Sequence, residues 1–125
     1  MKNLERSARP NYRFMKLVKS LEKCQVKGLF IYMYLNDKTM NDVAADTGVS
    51  RQTLSTWKKG GNYTHRNVEK VANQYGREFE EFYNAYTLLN NMIEKEEDYL
   101  IRGRLGEYLA EYTYLLNAQP ETIPA

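Results

Sequence analysis

The sequence predicts an all-α fold. Proline, which interrupts helices, occurs only at positions 10, 120 and 124. Apolar residues recur at spacings of three and four along most of the chain, as on one face of a helix. No stretch alternates polar and apolar residues for long enough to predict a strand. A length of 125 residues suits one domain, or a small domain with an appendage.

Composition excludes several classes of protein. A hydrophobic content of 42% and a charged content of 27% predict a packed core rather than disorder. The longest apolar run, residues 29–35, is far shorter than the roughly 20 residues that cross a bilayer. The charged N-terminus does not resemble a secretory signal, and the single cysteine, Cys24, cannot form a disulfide within the chain. We therefore expect a cytoplasmic protein without a membrane partner.

The charges are unevenly distributed. Residues 1–77 contain fifteen Lys and Arg against six Asp and Glu, whereas residues 78–125 contain three against ten. A basic first part predicts a polyanionic partner, and the acidic remainder indicates a different role. The sequence contains no readable metal-ligand cluster, phosphate-binding glycine loop or Ser–His–Asp set, and its only histidine is His65. We expect no enzyme, no catalytic residue, no cofactor and no metal site.

Helical spacing predicts five helices in the first part, over residues 12–24, 28–36, about 40–47, 51–59 and 65–75. From residue 78 onward, one apolar stripe runs to Ile93 and a second begins at Ile101. The strongly charged segment EKEEDY separates them. A hairpin of two helices is favoured over one continuous helix, but the segment is compatible with both.

Polar residues and glycines mark the ends of these helices. Thr39 and Asp42 are spaced as a capping box, and Ser50 and Thr64 precede the next two helices as N-caps. Gly48 suits the left-handed conformation of a tight turn. The later helices are expected to end at the glycines Gly60, Gly61 and Gly76.

The stretch DVAADTGVSRQTLSTWKKGG, residues 42–61, has the spacing that two helices crossing at roughly 90–120° require. A small residue, Ala44, stands where the second helix passes over the first. Gly48 follows four residues later, where the turn requires it. The predicted motif core comprises Val43, Ala44, Gly48, Val49, Leu54 and Trp57.

Residues 40–61 resemble the helix-turn-helix of the phage-repressor (Cro-like, lambda-repressor-like) DNA-binding family. The resemblance continues through NYTHRNVEKVANQYGREFEEF and covers about residues 26–83, half of the chain. It implies an all-α bundle of that type, here with an extra N-terminal helix and C-terminal dimerisation helices. In such domains the second motif helix enters the major groove. One departure is Met40, where the family often has a glutamine that holds a phosphate.

The resemblance assigns DNA contacts residue by residue, and the chemistry agrees. Arg51 suits the O6 and N7 atoms of guanine, Gln52 suits adenine, and Thr56 offers a methyl group to thymine. The residues expected to face bases are Ser50, Arg51, Gln52, Ser55, Thr56 and Lys59. The following loop and helix start are expected to contact phosphate, with Thr39 and Asn41 as substitutes for the glutamine. The phosphate-contacting set is Thr39, Asn41, Lys58, Asn62, Tyr63, Thr64, His65 and Arg66.

The C-terminal stripes are rich in tyrosine, which is enriched in contact surfaces. A five-helix DNA-binding domain does not need two more amphipathic helices for its own core, so we expect them to join two copies of the chain. Gly103 and Gly106 would let helices approach closely. In the alternative, these helices fold back and close a monomeric core. The predicted oligomerisation residues are Tyr83, Tyr86, Leu89, Ile93, Ile101, Leu105, Tyr108, Leu109, Tyr112 and Leu116.

The predicted organisation is an arm at 1–11, a DNA-binding domain at 12–77 with its motif at 40–60, an oligomerisation region at 78–117 and a tail at 118–125. The extra helix either packs on the domain or carries an arm (Arg6, Arg9, Arg13) that reaches DNA.

We predict a sequence-specific double-stranded DNA-binding regulator, a repressor that binds a palindromic operator as a homodimer. One alternative is an architectural or assembly protein, such as a small terminase subunit or a partition or conjugation accessory protein. Another is an antitoxin whose acidic helices bind a toxin. An origin in a mobile element fits the family. Because the C-terminal part is short for a ligand-sensing domain, a regulatory protein partner is favoured over a metabolite.

Overall fold

A computed structural model describes residues 11–118, and within them every regular element is a helix, as the sequence predicts. The arm 1–11, with Arg6 and Arg9, and the tail 118–125 lie outside the described residues, apart from Asn11 and Ala118. The helices are α1 (Asn11–Ser20), α2 (Lys27–Leu35), α3 (Met40–Thr47), α4 (Arg51–Lys58), α5 (His65–Gln74), α6 (Phe79–Tyr83), α7 (Ala85–Lys95) and α8 (Tyr99–Ala118).

The predicted caps begin three of these helices. The Thr39 hydroxyl accepts a hydrogen bond from the Asp42 amide, and the Asp42 carboxylate accepts one from the Thr39 amide, so the capping box is confirmed. Ser50 accepts from the Thr53 amide before α4, and Thr64 accepts likewise before α5. These ends depend on neighbouring residues alone, which is why the sequence predicts them.

Two helix boundaries differ from the prediction by more than one residue. The first helix ends at Ser20 rather than at residue 24. After Ser20 the amides of Glu22 and Cys24 donate to carbonyls three residues back, those of Lys19 (3.3 Å) and Leu21 (2.9 Å), so residues 21–23 form a turn instead of continuing the α-helix. The second difference is a break at Asn84, which ends α6 and then caps α7 by accepting a hydrogen bond from the Tyr86 amide (2.9 Å).

Helices α7 and α8 are separate and pack against each other, as the hairpin interpretation predicts. The Asp98 carboxylate accepts a hydrogen bond from the Leu100 amide (2.9 Å) at the start of α8. No helix among residues 11–118 combines the length and the apolar character needed to cross a membrane.

The buried side chains form one cluster that runs from α1 to α8. Helix α2 lies at its centre, in contact with α1, α6 and α7. The predicted boundary between residues 77 and 78 therefore falls inside a shared core, since α6 packs on both α2 and α5.

This packing corrects the expectation that the C-terminal stripes are left free for a partner. Helix α8 lies against α1 and α7, and the Tyr108 ring packs on Phe14 with centroids 4.6 Å apart. Of the predicted oligomerisation residues only Tyr83 and Tyr86 are exposed. The other eight lie in or against the chain's own core: Leu89, Ile93, Ile101, Leu105, Tyr108, Leu109, Tyr112 and Leu116.

Helix α2 packs closely against α6 at Gly28. A Cβ atom placed on Gly28 would overlap the backbone carbonyl of Glu81 and come within 3.0 Å of the Cα of Phe82. Backbone atoms cannot rotate away as a flexible side chain can, so only glycine fits here.

A buried carboxylate lies at the same contact. Glu81 is 4% exposed and accepts hydrogen bonds from Arg77 (3.0 Å), Asn91 (2.9 Å) and the Glu78 amide (3.2 Å). Burial alone would raise the pKa of Glu81, but the hydrogen bonds and the charge of Arg77 outweigh burial and hold it below its ordinary value. Glu81 thereby joins α6 to α7.

We expect Gly28→Ala to lower the free energy of unfolding by roughly 3 kcal/mol, because α2 and α6 must move apart. Gly106→Ala is the matched control, since a Cβ there meets nothing within 4 Å. It should stabilise α8 by up to about 1 kcal/mol through helix propensity. Urea denaturation measures both, and equal stability of the two variants would contradict the close packing at Gly28.

We expect Glu81→Gln to cost roughly 1–3 kcal/mol at neutral pH, because Arg77 then loses its buried charged partner. The pKa of Glu81 is below its ordinary value of 4.5, so its contribution is present above pH 4.5 and is lost as the pH falls through the lowered pKa. The stability difference between wild type and variant should therefore shrink on acidification. Urea denaturation across this range measures it, with the exposed Glu80→Gln as control.

Candidate nucleic-acid interface

Helix α4 has one face in the core and the other in solvent. Leu54 is fully buried and Trp57 is 2% exposed, so together they fix the helix on the domain. The opposite face has the spacing of a single helical stripe, and all of its residues except the half-buried Ser55 are exposed. These residues are Arg51, Gln52, Ser55, Thr56 and Lys59; we call this stripe, together with the N-cap Ser50, the α4 face.

Helices α3 and α4 are joined by a short turn and pack against each other. Gly48 has φ 81° and donates a hydrogen bond to the Ala44 carbonyl (2.9 Å), while the Val49 amide donates to the Thr47 hydroxyl (3.2 Å). Of the predicted motif core, Val43, Val49, Leu54 and Trp57 are buried, Ala44 is half-buried and Gly48 adopts the predicted left-handed conformation.

The loop after α4 turns back tightly on that helix. Gly60 has φ 99°, and the Gly61 amide donates to the Thr56 carbonyl (2.8 Å). A Cβ on Gly61 would overlap the Thr56 methyl group and would also lie 2.9 Å from the Thr56 carbonyl oxygen, so the loop can follow this path only with glycine. Asn62 lies just beyond the turn and is exposed.

An aromatic cluster holds the start of α5. The His65 ring stacks on Phe79 with centroids 3.8 Å apart, and the Tyr63 ring lies 6.3 Å from both Phe79 and Tyr83. Tyr63 is half-buried, and His65 Nε2 lies 3.8 Å from the Glu69 carboxylate. Both predicted phosphate ligands are thus positioned by α6.

Three predicted contact residues use their hydroxyl groups within the chain. Thr39 and Thr64 accept hydrogen bonds as N-caps, and Ser50 both accepts from the Thr53 amide (3.1 Å) and donates to the Thr53 hydroxyl (2.9 Å). Their first role is to fix helix starts. The remaining predicted phosphate ligands are Asn41, Asn62 and Arg66, which are exposed, and Lys58, which is half-buried.

The surface around α4 is cationic by sequence. Between Asp46 and Glu69 the chain has no acidic residue. The Asp46 carboxylate accepts hydrogen bonds from the Tyr75 hydroxyl (2.7 Å) and from Lys38 (3.2 Å), which together lower the pKa of Asp46. The same interval contains four cations: Arg51, Lys58, Lys59 and Arg66.

One cation beside this surface was missed from the sequence. Lys70 is exposed, and its Nζ atom lies 3.6 Å from the position that a Cβ of Gly48 would occupy. It therefore stands beside the α3–α4 turn. The sequence does contain a signal for Lys70, because it follows Arg66 by four residues. This spacing places Arg66 and Lys70 on one face of α5, opposite the buried Val68 and Val71.

Residues 11–118 contain no group of three His, Cys, Asp or Glu side chains arranged to hold a metal ion. No protein-family model, curated protein or solved structure matches the chain.

Proposed function

We propose that the protein is a sequence-specific double-stranded DNA-binding transcriptional regulator, a cytoplasmic repressor that inserts α4 into the major groove and acts as a homodimer. The observation that carries the proposal is the α4 face, a polar stripe backed by the buried Leu54 and Trp57. The stripe lies in an interval that has four cations and no acidic residue.

The α4 face has dimensions and chemistry that suit the groove. With its side chains a helix is about 10–12 Å across, and the major groove is about 12 Å wide. Ser55 and Thr56 are small, so the helix can approach the base edges closely. Arg51 and Gln52 stand in its first turn, where recognition helices reach the bases, and each bidentate contact discriminates by about 1–3 kcal/mol.

The neighbouring cations supply the phosphate contacts that position such a helix. Arg66 and Lys70 stand on one side of α5, and Lys70 lies beside the α3–α4 turn. Lys59 and Asn62 flank the glycine turn at the other end of α4. Because cations stand at both ends of α4, they favour binding of a duplex whose groove runs along this helix.

The test is the selection of bound duplexes from a random DNA pool. We expect wild type to enrich a palindromic site and Arg51→Ala with Gln52→Ala to lose that enrichment. The double variant should keep weak, salt-sensitive binding through phosphate. No enrichment by wild type from any pool would contradict the repressor function.

The matched control removes one cation and one amide elsewhere. Lys95→Ala with Asn90→Ala changes two exposed residues of α7, outside the α4 face and outside the exposed side of α8. This variant should enrich the wild-type site. If it loses enrichment as the α4 variant does, the effect is not specific to α4.

The exposed side of α8 supports the homodimer better than the predicted stripes do. Tyr99, Leu100 and Tyr114 are 77%, 68% and 67% exposed. Tyr99 and Tyr114 lie on the helix face opposite the core, and Leu100 lies at the side of that face. Between them are Gly103, Ala110 and the exposed Glu107, whose carboxylate accepts a hydrogen bond from Arg104 (3.2 Å). The large residues at the two ends would meet when two such helices pair antiparallel.

We expect Leu100→Ser with Tyr114→Ser to convert dimers into monomers, because both ends of this face lose their apolar contact. Sedimentation measures the mass, and circular dichroism checks that the helices remain. Tyr12→Ser, which changes a tyrosine 75% exposed on α1, should leave the dimer intact. A monomeric wild type would contradict the dimer, and a larger ring would favour the architectural alternative.

A further inference from the structure

The connection between α1 and α2 touches the loop that follows α4. A Cβ on Gly60 would lie 2.9 Å from the Lys23 carbonyl oxygen and 3.0 Å from the Lys23 Cβ. Gly60 also has a left-handed φ of 99°. Gly60, which stands between Lys59 and Asn62 in the loop, therefore packs against Lys23.

Three lysines lie at or near this contact, and a fourth is close to it in the sequence. Lys23 is exposed, and Lys19, in the last turn of α1, is exposed four residues earlier in the sequence. Lys58 lies close enough for its charge to act on the Cys24 thiol, and the Lys27 ammonium donates to the Cys24 carbonyl (2.8 Å). We call Lys19, Lys23, Lys27 and Lys58 the corner lysines.

The corner lysines have few acidic neighbours. The loop from α4 to α5 contains none, and in the connection from α1 to α2 the only acidic residue is Glu22, which is exposed. Lys27 is occupied by the Cys24 carbonyl. Lys19 and Lys23 form no salt bridge with any residue in the described part of the chain. A lysine's long flexible stem carries its charge well beyond its own backbone.

We propose that Lys19 and Lys23 extend the DNA-binding surface beyond the α4 motif and bind the phosphates that flank the base pairs read by α4. The inference rests on the proposed function. Lys59 and Asn62 are expected to contact DNA, and Lys23 packs against the glycine that stands between them. A DNA strand that runs along α4 and past its C-terminal end would next meet the corner lysines. Phosphate contacts of this kind add affinity without selecting sequence.

The experiment measures duplex binding against salt concentration, from about 50 to 200 mM. Each lost phosphate contact lowers the slope of log affinity against log salt by about 0.9. Lys19→Gln with Lys23→Gln should therefore lower the slope by about 1.8 and weaken binding at about 0.1 M salt by roughly 50-fold. The site selected from the random pool should stay the same, which separates these residues from Arg51 and Gln52.

Lys95→Gln is the matched control, because Lys95 is an exposed lysine at the end of α7 within the acidic part of the chain. It should leave the slope unchanged, and Lys23→Glu should weaken binding further than Lys23→Gln. Wild-type slope and affinity in the double variant would overturn this inference while leaving the proposed function standing. A wild-type chain that binds no duplex at any salt concentration would overturn both.

Discussion

The close approach of α2 and α6 at Gly28 is the constraint on which the rest of the fold depends. Helix α2 is buried along most of its length, so it must be covered on several sides. The missing side chain at Gly28 brings the α6 backbone into contact, and Phe82 and Glu81 are buried beside it. Glu81 then binds Asn91 of α7, and α8 completes the core against α1 and α7. The acidic C-terminal part is therefore integral to the core.

The contact of α2 with α6 at Gly28 also helps to position the candidate interface. Helix α6 presents Phe79, on which His65 stacks, so the start of α5 is fixed by α6. The end of α5 is joined to α3 by the hydrogen bond from the Tyr75 hydroxyl to Asp46. Burial and the interaction with Asp46 raise the pKa of Tyr75, so its hydroxyl keeps the proton that it donates. Since α4 packs on α3, the α4 face is presented on a packed framework, and a surface preorganised by packing lowers the entropic cost of binding.

The sequence predicts the local features of this molecule and misses the long-range ones, for one physical reason. Caps at Thr39, Ser50 and Thr64 and the turn at Gly48 are decided by residues within four positions, and all four are confirmed. The break at Asn84 is different, because apolar spacing continues through it and the core decides where the chain turns. An apolar stripe indicates that a helix face is covered, but not which element covers it. The sequence therefore does not predict that α8 is buried against α1. Within the candidate site, the α4 face was predictable from helical spacing, whereas the contact of Lys23 with Gly60 joins positions 37 apart in the sequence.

The separation of charge gives the proposed complex a fixed orientation. Helices α7 and α8 pack on α1, α2 and α6, whereas α4 packs on α3. The carboxylates of Glu96, Glu97 and Asp98 lie in the connection between α7 and α8. A polyanion that attracts Arg51 and Lys59 would repel the carboxylates at the α7–α8 connection, which orients the domain before contact is made. A single eight-residue helix reads only a few base pairs, so a second copy about 34 Å away along the duplex would extend the site that the proposed regulator reads. Pairing through the exposed side of α8 would leave both α4 faces free for DNA, because α8 is held by α1 and α7 rather than by the α3–α4 motif. The acidic part would then join the two copies while the basic part binds the nucleic acid.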